Sequence, residues 1–263
     1  MRKVFVALYA LTFLTVAGVA GPFSRMDGEK HEMILKLQAA IDDNDLTDVC
    51  LSLKSGASTD IYDVWMTYFH PLREAVEKSF YYGQRDPITQ EWEHETAYKE
   101  ALGIMQVLLD YGANMNELDK ENMSALLKAV EMAEQKIHRD GYDARSIETR
   151  KLKLLLDYGQ KKQVLGKAQR GVLTPAIRIA GESLDLAELL LNYDIPVRRS
   201  DIKYAKQLQE EAMGKKSAYN YNRLVPLLEA KRSQENEEAK KLLKEEFKRS
   251  WESTVSDPNM WKY

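Results

Sequence analysis

The chain has 263 residues, of which 44% are hydrophobic and 30% are charged, and its formal net charge is −3. These values allow a sizeable buried core, and they exclude a strongly basic nucleic-acid-binding protein and an acidic disordered protein. Cys50 is the single cysteine, so no disulfide can form within the chain. With Val49 and Leu51 beside it and no His nearby in the sequence, its thiol is expected to be a small buried hydrophobe and not a nucleophile.

The N-terminal stretch "MRKVFVALYALTFLTVAGVAG" has the features of an export signal. Two positive charges precede an apolar run from Val4 to Ala20, which ends in small residues. This pattern predicts a signal peptide at 1–20 and a secreted or periplasmic protein. The alternative is a membrane anchor formed by residues 4–20, because a run of about 17 residues is near the shortest that spans a bilayer. No second long apolar segment follows, so no other membrane contact is expected.

One short motif recurs along the chain. The letters "LLDYG" occur twice and looser versions occur twice, at 52–57, 108–113, 155–160 and 190–195. Apolar residues spaced i, i+3 and i+4, such as Met105, Leu108 and Leu109, precede the motif and predict an amphipathic helix. Glycine can adopt the left-handed conformation that closes a helix, so each helix is expected to end at the glycine of its motif. Asp194 replaces that glycine in the fourth version.

A second signature precedes each of those helices. It reads "LKLQAAI" at 35–41, "HPLREAV" at 70–76, "SALLKAV" at 124–130 and "TPAIRIA" at 174–180. In the last version, Thr174 is expected to cap a helix and Pro175 to occupy its first position. Each version also carries a small residue that would allow close helix packing, namely Ala40, Ala75, Ala129 and Ala180.

Together the two signatures resemble the ankyrin repeat. The closest stretches are "LLDYGANMN" with the following "ELDKENMSALLKAV", and "TPAIRIAGESLDLAELLLNYDIPV". The resemblance implies an all-α solenoid of about four to five repeats over residues 33–232, in which helix pairs are joined by projecting hairpin loops, or fingers. It also implies a non-catalytic role in protein–protein interaction. The sequence departs from the family because no version has the usual His of the start motif.

The spacing of the repeats is irregular. The start signatures fall at 35, 70, 124 and 174, so the steps are 35, 54 and 50 residues, against about 33 in the family. The surplus lies between Val76 and Met105 and between Val130 and Leu152. We therefore expect two insertions inside repeats, both projecting from the same edge, where such insertions commonly serve binding.

Residues 233–263 are predicted to form a charged C-terminal helix and tail. A narrow apolar stripe runs along the helix and consists of Ala239, Leu242, Leu243 and Phe247. The stripe is too short for a coiled coil, which needs several heptads. We expect the helix to pack over the last repeat.

No motif for catalysis is found. The acidic cluster of the first insertion contains Glu91, Glu93, His94, Glu95 and Glu100. Its single His lacks the second His at i+4 that a zinc-binding helix needs, so a solvated helix face is expected instead. There is no nucleophile elbow, phosphate-binding glycine loop or paired-cysteine motif. We predict no catalytic residue, no cofactor and no metal, and a purely structural cap for His70.

Aromatic residues are the best candidates for a binding site. Trp65 and Tyr68 lie in a long finger, whereas Tyr81, Tyr82 and Trp92 lie in the first insertion. Tyr and Trp on projecting loops commonly anchor protein interfaces, and the alternative is that they pack on the protein's own helices. Three tyrosines that recur with the motif are expected to pack between repeats: Tyr111, Tyr158 and Tyr193.

Charge is unevenly distributed along the chain. Residues 84–135 carry four basic and eleven acidic residues, whereas residues 145–206 carry thirteen basic and seven acidic ones. Such a division could steer a partner of matched polarity, or neighbouring repeats could complement each other. The basic half lacks the Lys/Arg density and exposed aromatic residues of a nucleic-acid surface, so nucleic acid is not the expected partner.

The prediction is an exported, monomeric scaffold that binds another protein without catalysis. Two alternatives remain open. One is a protective factor or small enzyme of the cell envelope, with a site built by the insertions. The other is an effector directed at a host cell.

Overall fold

The computed structural model of the chain describes residues 28–60, 62–64, 67–78, 92–119, 121–168, 171–193 and 195–255. These residues are almost entirely α-helical, so the predicted all-α class is confirmed. The proposed signal peptide at 1–20 lies outside the described residues. Among the helices that are described, none is both long enough and apolar enough to cross a membrane.

Ten α-helices and one small hairpin make up the described part of the chain. The helices are α1 (Gly28–Asp42), α2 (Leu46–Lys54), α3 (Pro71–Glu77), α4 (Trp92–Asp110), α5 (Ala125–Asp140), α6 (Ile147–Lys161), α7 (Leu173–Ile179), α8 (Asp185–Leu191), α9 (Arg199–Glu211) and α10 (Ala218–Val255). A 3-10 turn spans Leu165–Lys167. The antiparallel strands β1 (Tyr62–Val64) and β2 (Thr67–Phe69) place Tyr62 opposite Phe69.

The helices pack in two layers. Each odd-numbered helix contacts the even-numbered helix that follows it in the chain. The odd-numbered helices also contact one another in chain order, α1 with α3, α3 with α5, α5 with α7 and α7 with α9. In the second layer, α2 contacts α4, α4 contacts α6, and α8 contacts α10. The core therefore runs between the two layers along the whole set of helices.

The predicted apolar stripes form this core. The stripe residues of α4 and α6 are all fully buried: Met105, Leu108, Leu109, Leu152, Leu155 and Leu156. The four small residues of the start signatures are buried as well: Ala40, Ala75, Ala129 and Ala180. Because the alanine side chain ends at Cβ, it allows neighbouring segments to pack closely at these positions.

Two helix caps are predicted from the sequence, at His70 and Thr174, and the first is confirmed, while Ser124 provides a further cap. The Ser124 hydroxyl accepts a hydrogen bond from the Leu127 N–H, and His70 caps α3 ahead of Pro71. At α7 the predicted cap is wrong, because the helix begins at Leu173 and Thr174 lies inside the first turn. Pro175 is still tolerated there, since N–H groups of a first turn have no partner within the helix.

The glycine of the recurrent motif ends the helix in two versions. Gly56 has a φ of 101° and Gly112 a φ of 97°. At the second site the Ala113 N–H donates to the Leu108 carbonyl and the Gly112 N–H to the Leu109 carbonyl, both at 3.0 Å. This pair of bonds is the Schellman motif, which satisfies the last carbonyls of a helix.

In the third version the expectation is wrong, although the letters "LLDYG" are the same. Gly159 lies within α6, and the chain turns at Gln163, which has a φ of 56°. The Val164 N–H donates to the Gly159 carbonyl, so the same closing motif is formed four residues later. A Cβ on Gly159 would lie 2.5 Å from the Leu165 Cδ2 atom. Here glycine serves close packing and not the turn.

The second predicted insertion is not a projecting loop. α5 continues past Val130 to Asp140, and α6 begins at Ile147, so only residues 141–146 lie between the helices. The surplus residues lengthen the two helices instead, which keeps their backbone groups hydrogen-bonded. In the first insertion α4 begins at Trp92, and residues 79–91 lie outside the described residues.

The C-terminal helix also differs from expectation. α10 runs without a break through the predicted boundary between 232 and 233. Its second half does not pack over the last helices, since Leu242 is 61% and Leu243 is 65% exposed. The reason is length, because α9 has 13 residues and α10 has 38, so α10 is longer than the helix it packs on by about 38 Å.

Candidate functional site

The aromatic residues chosen from the sequence remain a prediction. Trp65, Tyr81 and Tyr82 lie outside the described residues. Tyr68 is placed in β2 opposite Asp63, and Trp92 is the first residue of α4, but the side chains of both lie outside the described part. Of the cluster around His94, Glu91 lies outside the described residues, the side chains of Glu93, His94 and Glu95 lie outside the described part, and Glu100 is exposed. Within the described ranges, no group of three or more His, Cys, Asp or Glu residues is placed to hold a metal ion.

The described surface contains a groove of about 450 Å³ between α4 and α6. α4 contributes Leu102, Gln106 and Asp110, which are spaced four apart and therefore share one face of the helix. α6 and its end contribute Arg150, Lys153, Leu154, Asp157, Tyr158, Lys161 and Lys162. These α6 positions repeat at three and four residues, beside the buried stripe at 152, 155 and 156. Contact between α4 and α6 thus converts two solvated helix faces into one concave surface.

The groove is rich in cations. Lys153, Lys161 and Lys162 are exposed, and Arg150 is half-buried at the same wall. No ion pair involves Lys153 or Lys161 among the described residues. The Lys162 Nζ atom lies 5.7 Å from the centre of the Tyr158 ring, where the ring face attracts a cation.

Two carboxylates partly offset the positive charge of the groove. Asp157 accepts a hydrogen bond from the Tyr193 hydroxyl at 2.6 Å, and Asp110 accepts one from the Gln106 amide at 2.9 Å. Both donors are neutral, so neither of these two hydrogen bonds is an ion pair. Four cations against two anions leave the groove with an excess of positive charge. Leu102, Leu154 and the Tyr158 ring add an apolar component.

The recurrent tyrosines behave differently from one another. The Tyr158 hydroxyl donates to the Leu109 carbonyl at 2.8 Å, and the Tyr193 hydroxyl bonds to Asp157, so both tie one helix pair to the preceding pair. Burial and the Asp157 bond raise the pKa of Tyr193 to about 12. The expected packing is confirmed for these two residues. It is wrong for Tyr111, which is 47% exposed at the end of α4.

Lys151 is a buried amine with a structural role. Its side chain is among the fully buried ones, and its ammonium donates to the Ala75 carbonyl at 2.5 Å and the Val76 carbonyl at 3.0 Å. Burial lowers the pKa of Lys151 to about 7, partly opposed by Glu148. These carbonyls end α3, where a cation is favoured by the helix dipole. The burial keeps solutes from the amine.

Cys50 is half-buried and not buried as expected. α2 places it one residue beyond the buried Val49, at the edge of the stripe that faces the core. The thiol is not part of the groove, whose lining residues come from α4 and α6.

The groove was not predicted from the sequence, although the sequence showed the excess of basic residues that lines one of its walls. The excess of basic residues over 145–206 was noted, but its concentration on one face of α6 requires the helix boundaries. Of the α4 residues in the groove, Leu102 was assigned to the first insertion, whereas Gln106 and Asp110 belong to the predicted helix and motif, and their approach to α6 depends on tertiary packing.

The residues that line the groove are lysines, an arginine, carboxylates, a glutamine, leucines and a tyrosine. Lysines around an apolar patch can hold a carboxylate-rich segment by charge and contact area. Comparison of the chain with protein-family models, curated proteins and solved structures finds no match.

Proposed function

We propose that this chain is an exported, ankyrin-like repeat protein that binds another protein without catalysing a reaction. The observation that carries the proposal is the α4–α6 groove, which combines excess positive charge with an apolar floor. The partner segment is acidic and carries at least one apolar side chain. A rigid helical platform would bind it with little loss of conformational entropy.

The order of helix contacts supports the repeat architecture. Five successive helix pairs contact one another in chain order, as stacked repeats would. The β1–β2 hairpin lies between the second and third helices, where an ankyrin-like finger would be. The turn before α5 is closed by Asp119, whose carboxylate accepts the Glu121 and Met123 N–H groups. The tyrosine bonds between pairs fix the stacking further.

The finger supplies a second part of the proposed surface. Trp65 and Tyr68 belong to it, while Tyr81, Tyr82 and Trp92 belong to the first insertion, which leads into α4. Rings at these positions would extend the contact beyond the groove. In this proposal the positively charged groove selects a partner with an acidic segment, and the aromatic residues add contact area.

A capture experiment with matched charge changes tests the proposal. The full chain is immobilised and exposed to an extract of its native compartment, and bound proteins are quantified by mass spectrometry. The groove variant carries Lys153→Glu and Lys161→Glu. The control carries Lys215→Glu and Lys216→Glu at exposed positions between α9 and α10, which are distant in the chain from the groove.

The expected result is a specific protein that both the original chain and the control capture and that the groove variant loses. A parallel pair of variants, Trp65→Ala and Trp92→Ala, is expected to weaken capture of the same protein. If the groove variant and the control capture the same proteins in the same amounts, the assignment of the groove is wrong.

A further inference from the structure

The middle of the α4–α6 groove is anionic, although the groove as a whole carries excess positive charge. Lys153, Asp157 and Lys161 line its α6 wall at steps of four residues. Each step rises about 6 Å along the helix, so the order of charge is positive, negative, positive. In the described part of the chain, no ion pair joins Asp157 to either lysine. Asp110 adds a second carboxylate from α4.

Both carboxylates lie beside the Tyr158 ring. Asp157 precedes Tyr158 in the chain. Asp110 follows Leu109, whose carbonyl accepts a hydrogen bond from the Tyr158 hydroxyl at 2.8 Å. Burial raises the pKa of Tyr158, and the negative charge of Asp110 raises it further. Each carboxylate also accepts one hydrogen bond from a neutral side chain of the protein, so both negative charges are held in position.

This order of charge disfavours a uniformly anionic partner. A nucleic acid carries a phosphate at every nucleotide, so it would place phosphates beside the two aspartates when others reach the lysines. A run of consecutive acidic residues would do the same. A basic side chain between two acidic ones replaces that repulsion with an attraction. The groove is therefore complementary to an acidic segment that is interrupted by a basic residue.

The spacing of the charges fits an extended segment. Alternate side chains of an extended chain point to the same side and lie about 6.6 Å apart, close to the steps of about 6 Å along α6. The groove, at about 450 Å³, accommodates a row of side chains, whereas a whole helix has a diameter of about 10–12 Å. The matching pattern is acidic, any residue, basic, any residue, acidic.

We propose that Asp110 and Asp157 make the groove selective for an extended segment of another protein in which one basic residue lies between two acidic ones. The inference rests on the proposed function, because it assigns a sequence pattern to the same acidic partner. Lys153 and Lys161 bind the two acidic side chains, and Leu154 contacts an apolar neighbour. The two aspartates bind the basic side chain and set the specificity.

Three labelled peptides that differ at one residue test this selectivity. Their sequence is Leu-Thr-Glu-Thr-Xaa-Thr-Glu, with Lys, Gln or Glu at the central position, and threonine favours an extended backbone. Fluorescence anisotropy measures their binding to the full chain. We expect the lysine-centred peptide to bind about fivefold more tightly than the glutamate-centred one, with the glutamine-centred peptide between them. Net charge alone predicts the reverse order, because the groove carries excess positive charge.

Removal of the two negative charges should reverse the order. Asp110→Asn with Asp157→Asn retains side chains that can accept the same hydrogen bonds, and the glutamate-centred peptide should then bind most tightly. The control, Asp43→Asn with Asp143→Asn, removes the same charge at exposed positions outside the groove and should retain the original order.

A preference of the original chain for the glutamate-centred peptide overturns the selectivity, as does an order that Asp110→Asn with Asp157→Asn leaves unchanged. Lys153→Glu with Lys161→Glu separates this failure from failure of the proposed function. If that variant loses a glutamate-centred peptide that the original chain prefers, the groove still binds acidic segments and only the pattern is wrong.

The remaining outcomes also count against the proposal. If none of the peptides binds, or if all bind the Lys153→Glu, Lys161→Glu variant as they bind the original chain, the assigned pattern is wrong, and the capture experiment decides the proposed function separately. Tighter binding of a short oligothymidylate than of the lysine-centred peptide would assign the groove to a nucleic acid and overturn the proposal.

Discussion

His70 fixes the start of α3 through both ring nitrogens. Its Nδ1 atom accepts a hydrogen bond from the Arg73 N–H at 3.3 Å, and its Nε2 atom lies 3.4 Å from the Glu117 carbonyl oxygen. Both contacts are satisfied by the neutral ring, with Nδ1 unprotonated and Nε2–H donating. Burial lowers the pKa of His70, with a smaller contribution from Arg73 in the same direction. Proton uptake would remove the cap.

We therefore expect the free energy of unfolding to fall as the pH falls below about 6.5, because the unfolded chain binds the proton first. His70→Asn retains a capping side chain that does not titrate, so it should reduce this loss. His70→Ala should cost about 1 kcal/mol at neutral pH by removing the cap. Urea unfolding at neutral and mildly acidic pH measures both effects. An unchanged pH dependence in His70→Asn would contradict this role.

Gly112 and Gly159 occupy the same letter of the same five-residue motif for different physical reasons. Gly112 has a φ of 97°, and a Cβ there would meet nothing within 4 Å. Gly159 is helical, and a Cβ there would collide with Leu165. A local motif therefore predicts that a glycine is needed, but not whether the backbone or the packing requires it.

Alanine at the two positions should separate the two causes. Gly112→Ala should cost about 1 kcal/mol from backbone strain alone, and Gly159→Ala about 1–3 kcal/mol from overpacking. Because the collision is with Leu165, Leu165→Ala should offset part of the loss in Gly159→Ala and none in Gly112→Ala. Two double-mutant cycles by chemical unfolding measure this coupling. Equal coupling in both cycles would show that packing does not distinguish the two sites.

For the secondary-structure elements, the sequence predicts that a helix is present better than it predicts where that helix begins and ends. The spacing of Leu152, Leu155 and Leu156 predicts a helix with one buried face, since burial follows directly from periodicity. The end of α6 was misplaced because the Gly159 contact with Leu165 is formed across a turn. The extent of α5 was underestimated for a related reason, since residues after Val130 make tertiary contacts, such as the bond of Glu134 with Arg178 of α7.

An ion pair between α5 and α7 gives a test at this scale. The Arg178 guanidinium donates to both carboxylate oxygens of Glu134 at 2.5 Å, and the Glu134 side chain is only 11% exposed. Arg178→Met would leave a mostly buried carboxylate without its partner. We expect a loss of about 1–2 kcal/mol, less than for a fully buried pair because Arg178 is 54% exposed.

Arg178→Met combined with Glu134→Gln should recover part of that loss, since no unpaired charge remains. The free energies of unfolding of the two single variants and the double variant measure the recovery. Strictly additive losses would show that the two side chains do not stabilise the protein together.

For the whole molecule, the division of charge has two consequences. Arg178 from the basic half pairs with Glu134 from the acidic half, so part of the division joins neighbouring helices. Lys153 and Lys161 belong to the same basic half, but they line the groove on α6. The sequence left two uses of the charge open, and the pairing of neighbouring helices is observed, whereas the attraction of a partner stays a prediction. Their separation depends on which helices touch, and that arrangement is set by tertiary packing.

The groove between α4 and α6 is the central claim, and hydrogen–deuterium exchange of the full chain with its captured partner tests it most directly. We predict slower amide exchange on binding in residues 102–110 and 150–162, with little change in α9. Partner-dependent protection confined to other helices, with no change in these two segments, would contradict the account.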